Sequence, residues 1–147
     1  MRCSRSGFTL IELMLVVGIL GLLSAIAVAN FTHLQHTSKR AEVLPNVDGI
    51  KTTLLAHLAT HDSFDDQGTY HPDASPGKQL REWSDGSNFD VLGWRPDGKI
   101  RGAYKMRAEG LDFRVFGICD VDGDGLQATF TATREFNAAP VTHDRIY

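Results

Sequence analysis

Gly7-Phe8-Thr9-Leu10-Ile11-Glu12-Leu13-Met14-Leu15-Val16-Val17 opens an apolar run that continues to Phe31. Between Phe8 and Phe31 there is no Lys, Arg or Asp, and Glu12 is the only ionisable side chain. A helix of about 24 residues rises about 36 Å, against a hydrocarbon core of about 30 Å, so the run can span a bilayer. A charged side chain at the centre of a bilayer costs roughly 2.5–3.5 kcal/mol on insertion scales, which makes a solitary intramembrane acid a functional residue by default. The preceding flank is short, carries Arg2 and Arg5 with no acid, and ends in the small residue Gly7. An ordinary secretory signal places its small-residue cleavage site after the apolar region. Cleavage after Gly7 would instead leave the whole apolar helix on the product, beginning at Phe8.

The order Gly7-Phe8-Thr9-Leu10-Ile11-Glu12 followed by an apolar helix resembles the N-terminus of type IV prepilins and of the pseudopilins of type II secretion. The likeness continues through Asn30-Phe31, Gln35 and Ser38-Lys39-Arg40-Ala41-Glu42. The resemblance implies that a membrane-embedded prepilin peptidase cuts between Gly7 and Phe8 and N-methylates Phe8. It implies that Glu12 attracts the terminal amine of a neighbouring subunit during assembly. It also implies the partners: a homo- or hetero-polymer with other pilins, the prepilin peptidase, an inner-membrane assembly platform and membrane lipid. On this reading residues 1–7 are a leader, 8–31 a transmembrane and assembly helix, and 32–147 a soluble domain, first periplasmic and then carried on a filament at the cell surface.

The physics agrees with that role for Glu12. In lipid a carboxylate has little water to solvate it, and a cationic amine from the next subunit offsets much of the cost. Glu12 also lies close enough to the helix end to snorkel toward the headgroups, and the two roles are compatible. One residue departs from the family pattern. Many major pilins carry a proline near the end of the apolar run, and here the residue is Ala29. Without that proline the helix is expected to run straighter, which favours a minor pilin or pseudopilin. Gly18 and Gly21 remain as close-approach positions.

A length of 147 residues supports one soluble domain plus the anchor helix. The net charge of −3 becomes about −5 if the leader is removed, because Arg2 and Arg5 are lost and 13 cations face 18 acids. No basic cluster argues for nucleic-acid binding. The leader would take Cys3 with it, leaving Cys119 alone and unable to form an intrachain disulfide. Cys119 reads as a small buried hydrophobe on a strand.

After the anchor, Phe31, Leu34, Val43, Leu44, Val47, Ile50, Leu54, Leu55 and Leu58 recur mostly at spacings of three and four, an amphipathic helix expected to reach about Thr60. Pro45 predicts a kink or short break. His57 and His61 would share a face of that helix, with His71 a candidate third zinc ligand, but no HExxH motif is present and polar residues on a solvated helix end are the preferred reading. Residues 61–87 are rich in Asp, Gly and Pro and read as loop, pinned by Tyr70 and Trp83. The remainder reads as two hairpins. One joins residues 89–94 to 99–106 across Arg95-Pro96-Asp97-Gly98, and the other joins 113–119 to 126–133. In the last arm Leu126, Ala128, Phe130 and Ala132 alternate with Gln127, Thr129, Thr131 and Thr133, a half-buried strand. Residues 137–147 read as a polar tail. Four antiparallel strands on a long N-terminal helix, half transmembrane and half amphipathic, give an α+β fold, which is also the pilin-like roll.

Asp120-Val121-Asp122-Gly123-Asp124-Gly125 matches the first half of an EF-hand loop, with acids at positions 1, 3 and 5 and Gly at 6. Three carboxylates two residues apart in a tight turn can converge on one Ca2+. Position 12 is Thr131 rather than a bidentate Glu, and the flanks read as strands. A Gly- and Asp-rich hairpin turn is the competing reading. No GxSxG, P-loop or paired Cys/His nucleophile is present, so an enzyme is not expected. The leading expectation is a filament subunit; a type II secretion pseudopilin and a membrane-anchored calcium-binding or adhesive module are the alternatives.

Overall fold

The computed structural model describes residues 7–61, 68–73 and 76–147, so the first six residues of the expected leader and the acids Asp62, Asp65 and Asp66 lie outside the described residues. The chain divides into two compact units, Met1–Gln35 and His36–Tyr147.

Helix α1 spans Leu10–Arg40. Aliphatic residues without proline favour helix throughout its length, and Thr9 with Glu12 closes its first turn. Residues 7–35 are all exposed, so the apolar surface of α1 in the first unit has no protein cover. The helix passes through Ala29 without interruption.

Helix α2 spans Val43–His61. The break between α1 and α2 falls at Ala41–Glu42, and not at Pro45 as the sequence suggests. Pro45 is the third residue of α2, in the first turn, where a backbone N–H has no intrahelical acceptor and its absence costs little. Val43, Val47, Ile50 and Leu54 form the buried stripe of α2, each fully enclosed. Fully burying such a side chain contributes about 1.5–3 kcal/mol, so this stripe is the main attachment of α2 to the sheet.

The sheet has four antiparallel strands in the order β1-β2-β3-β4: β1 Ala103–Glu109, β2 Asp112–Cys119, β3 Ala128–Thr133 and β4 Ala139–Pro140. Its inner face presents Tyr104, Met106, Val115, Phe130 and Ala132 to α2. Gly117 lies in β2 opposite Tyr104, and a Cβ there would come within 2.6 Å of Val47 Cγ2 and 2.7 Å of Val43 Cγ1. Glycine is what lets α2 approach the strand this closely. The β3 alternation is as the sequence indicates, with Ala128, Phe130 and Ala132 inside and the three threonines outside; Leu126 is excluded from it and exposed.

The first expected hairpin does not form. Residues 88–91 make a short helix, α3 (Asn88–Val91), in place of a strand. Asp90 Oδ2 accepts the N–H groups of Gly86 at 2.8 Å and Ser87 at 3.0 Å, which turns the chain before an extended strand can start. Phe89 and Trp94 are buried while Val91 is 77% exposed, so the apolar alternation here marks single anchors and not a sheet face. Of residues 99–106 only the part from Ala103 joins the sheet, and Ile100 pairs with Arg81 in an isolated bridge. The partner of β1 is β2, joined through Gly110 at φ +67° and Leu111. The expected 61–87 loop holds a second bridge, His71 with Tyr104, and the buried Trp83. Trp83, Phe89, Trp94 and Tyr104 pack as a set of tilted and edge-on rings. Asn46 donates to the Tyr104 hydroxyl at 2.8 Å, and burial pushes that phenol well above its usual range.

The tail is more ordered than its polarity suggests. It contributes β4, and Ile146 and Tyr147 pack against the core. Arg40, nearly buried at the end of α1, donates to the carbonyls of Asp144 at 3.1 Å and Ile146 at 2.7 Å. Its guanidinium lies 5.9 Å from the Phe130 ring centroid and 5.7 Å from that of Tyr147.

Candidate functional site

Two sets of residues carry the chemistry. The first is the N-terminal start of α1. Thr9 caps the helix: its Oγ1 accepts the Glu12 N–H at 3.3 Å, while Glu12 Oε2 accepts the Thr9 N–H at 2.9 Å and the Thr9 hydroxyl at 2.7 Å. This reciprocal pattern is a capping box, legible as Thr-x-x-Glu, and sequence reasoning about Glu12 overlooked it. The capping bonds engage Oε2. They hold the carboxylate at the first turn, close in sequence to the Gly7–Phe8 bond. Gly7 and Phe8 are both exposed, with Phe8 at 81%, so the expected scissile bond is open to an enzyme. The α1–α2 helical stretch contains a segment long and apolar enough to cross a membrane. Gly18 and Gly21 have open space where a side chain would be, so neighbouring helices can approach there.

The second set is the turn after β2. Asp120, Asp122 and Asp124 each place one carboxylate oxygen within 4.8 Å of the others. Ca–O bonds are about 2.3–2.6 Å, so two oxygens on one ion sit at most about 5 Å apart, and the spacing fits. The turn also holds itself: Asp120 accepts the N–H groups of Gly123 at 2.6 Å and Gly125 at 3.1 Å, and Asp124 accepts that of Leu126 at 2.8 Å. Asp122 Oδ1 is shut off from solvent and has no hydrogen-bond partner among the described residues. Hard carboxylate oxygens suit Ca2+. Thr131, at loop position 12, lies in β3 opposite Phe116 and Ala139, so the turn does not continue into the second half of an EF-hand. The Lys78 side chain lies across the turn; a Cβ on Gly123 would come within 2.6 Å of its Cε. No sequence signal tied Lys78 to this turn.

The remaining candidates separate. His71 packs its ring edge-on against Trp83, 4.4 Å between centroids, and its Nε2 lies 3.1 Å from the Ser84 carbonyl oxygen. It is committed to the aromatic cluster and does not join His57 and His61. Cys119 is buried and free, and burial pushes its thiol up to about 12, as expected for a packed hydrophobe. Lys105 sits 4.3 Å from the Tyr70 ring centroid and 5.2 Å from that of Phe116, which places the expected Tyr70 anchor on the outer face of the sheet.

A family model covers the residues of the first set. The model of the prokaryotic N-terminal methylation motif matches residues 2–28. The type IV major pilin protein PilA of Myxococcus xanthus is 42% identical over 71 residues, 45% of this chain and 32% of that protein. A type IV major fimbrial protein FimA of Dichelobacter nodosus is 37% identical over 76 residues, 52% of this chain and 44% of its own length. A type IV major pilin protein of Neisseria gonorrhoeae is 28% identical over 81 residues, 55% of this chain and 49% of that protein. The chain thus spans about a third to a half of the length of the curated relatives it matches. No solved structure matches it.

Proposed function

We propose that the chain, whose N-terminus matches the prokaryotic N-terminal methylation motif and is similar to type IV major pilins, is a structural subunit of a type IV pilus-like filament. The observation that carries this is the match of the methylation motif over residues 2–28, which takes in Gly7 and Phe8, at the start of an apolar helix with one carboxylate in its membrane-spanning part. Prepilin peptidase cuts after Gly7 and methylates Phe8. The subunit waits in the inner membrane through α1 and leaves it by packing α1 against the helices of its neighbours. The exposed aliphatic surface of α1 supplies the contact area. Glu12 supplies the register: its carboxylate, costly in lipid, is stabilised where the terminal amine of the adjacent Phe8 reaches it. Register arises because only one axial offset brings the two charges together.

The test is Glu12→Ala in cells. Processing at Gly7 is retained and the yield of sheared filaments falls; a normal filament yield would remove Glu12 from assembly. One observation favours a second reading, a pseudopilin of type II secretion. α1 runs unbroken through Ala29, where a proline-containing helix would kink. Recovery of the processed subunit only from membranes, and never from sheared filaments, would select it.

We also infer that the turn at Asp120, Asp122 and Asp124 takes Ca2+. The convergent oxygens and the enclosed Asp122 Oδ1, without a hydrogen-bond partner among the described residues, support this reading. Water or backbone carbonyls would complete the oxygen shell. Millimolar Ca2+ raises the Tm of the wild-type chain, and Asp122→Ala with Asp124→Ala abolishes the rise. No shift in the wild type would end the inference.

A further inference from the structure

The distal end of α2 holds a feature that assembly does not use. His57 and His61 are one helical turn apart on one face, and their rings are stacked with centroids 4.3 Å apart and planes inclined by 12°. Thr60 orients one of them. Its hydroxyl oxygen lies 2.9 Å from the His57 carbonyl oxygen and 2.7 Å from His61 Nδ1, and with the hydroxyl donating to the carbonyl it accepts from the Nδ1–H tautomer of His61. With its proton on Nδ1, the neutral His61 ring carries its lone pair on Nε2. His57 Nδ1 is shut off from solvent with no hydrogen-bond partner among the described residues, so His57 also meets a ligand through Nε2.

Two imidazole nitrogens on successive turns of one helix, one of them set by a hydrogen bond through its other nitrogen, form a chelate for borderline divalent metals. We propose that His57 and His61 are a two-histidine site for a Zn2+-class ion, Zn2+, Ni2+ or Cu2+, with water completing the coordination. The near-parallel rings are not themselves in a chelating pose; side-chain rotation that splays them brings both Nε2 atoms, one helical turn apart, to one ion at the usual Zn–N distance of about 2.0–2.1 Å. The site differs in chemistry from the acidic turn: imidazole nitrogens favour transition metals, and an all-carboxylate set favours Ca2+.

The test is calorimetric titration of the full chain in detergent micelles, free of any histidine tag, with ZnCl2 near neutral pH. Wild type binds one Zn2+ through this pair. His61→Gln, at an exposed position and therefore safe for folding, weakens that binding at least about tenfold, and Thr60→Val weakens it less, because it removes only the orienting bond. Asp122→Asn with Asp124→Asn leaves it unchanged. Absence of Zn2+ binding in the wild type, binding undiminished in His61→Gln, or binding lost only in the aspartate variant would each overturn the proposal. None of these outcomes bears on filament assembly.

Discussion

Gly117→Ala tests the joint between α2 and the sheet. The added Cβ would sit 2.6 Å from Val47 Cγ2, 2.7 Å from Val43 Cγ1 and 3.3 Å from Tyr104 Cδ1. Comfortable carbon contacts are about 3.5–4.0 Å, so two of these neighbours must retreat by about 1 Å. All three are fully enclosed. The two valines are also stiff at χ1, so the retreat has to come from α2 as a whole. Overpacking of this kind costs about 1–3 kcal/mol. The loss of glycine freedom in the unfolded chain returns about 0.4–1 kcal/mol, since Gly117 does not adopt a positive φ. The net loss is about 1–2 kcal/mol, which for a unit of this size lowers Tm by about 4–8 °C. Near-ultraviolet circular dichroism of the chain in detergent reads the transition through Trp83 and Trp94, both buried in the same core. Adding Val47→Ala relieves the nearest clash, so the double variant is less destabilised than the sum of its parts. A Tm for Gly117→Ala equal to or above that of wild type, or strict additivity with Val47→Ala, would refute the close approach of α2 to β2.

Two further outcomes follow from the same interior. Cys119, with its thiol held near 12 by burial, resists iodoacetamide in the native chain at mildly alkaline pH and reacts once denaturant is added; mass spectrometry of the peptide bearing Cys119 reads both states. At Asp90, desolvation raises the carboxyl pKa, but hydrogen bonds from the N–H groups of Gly86 and Ser87 outweigh it and hold the pKa below its ordinary value. A lowered folded value contributes stability above the unfolded pKa of about 3.9, and that contribution is lost as pH falls through the folded value. The Tm gap between wild type and Asp90→Asn is therefore steady near neutrality and closes in acid, and a gap that widens on acidification would contradict the capping geometry.

The parts of this molecule that could be read from sequence are those where a single physical constraint dominates. An apolar run with one acid has few other uses than a membrane-facing helix, and α1 with Glu12 follows from it. Strict alternation in residues 128–133 has one reading, and β3 is there. The acidic spacing at Asp120, Asp122 and Asp124 does bring the three carboxylates together. Misreadings arose where two constraints competed. Phe89 and Val91 look like one face of a strand, but Asp90 reaches back to Gly86 and Ser87 and closes a helical turn. Gly110-Leu111 carries a weak turn signal beside Pro96-Asp97-Gly98, yet it is the weaker one that joins two sheet strands, because only there do both flanks have a register to share. Pro45 breaks helices when interior, and its position inside the first turn of α2 depended on where α1 stopped. The Arg40 contacts with Asp144 and Ile146 cross about a hundred residues of chain and leave no local trace in sequence.

The central claim is that the chain is cut at Gly7, methylated at Phe8 and polymerised. Mass spectrometry of filaments sheared from the cell surface, beside the remaining membranes, tests it directly. The account predicts an abundant peptide in the sheared fraction that begins at N-methylated Phe8. Mature protein that still carries the residues before Phe8 would contradict it, and with it the roles given to Gly7, Phe8 and Glu12.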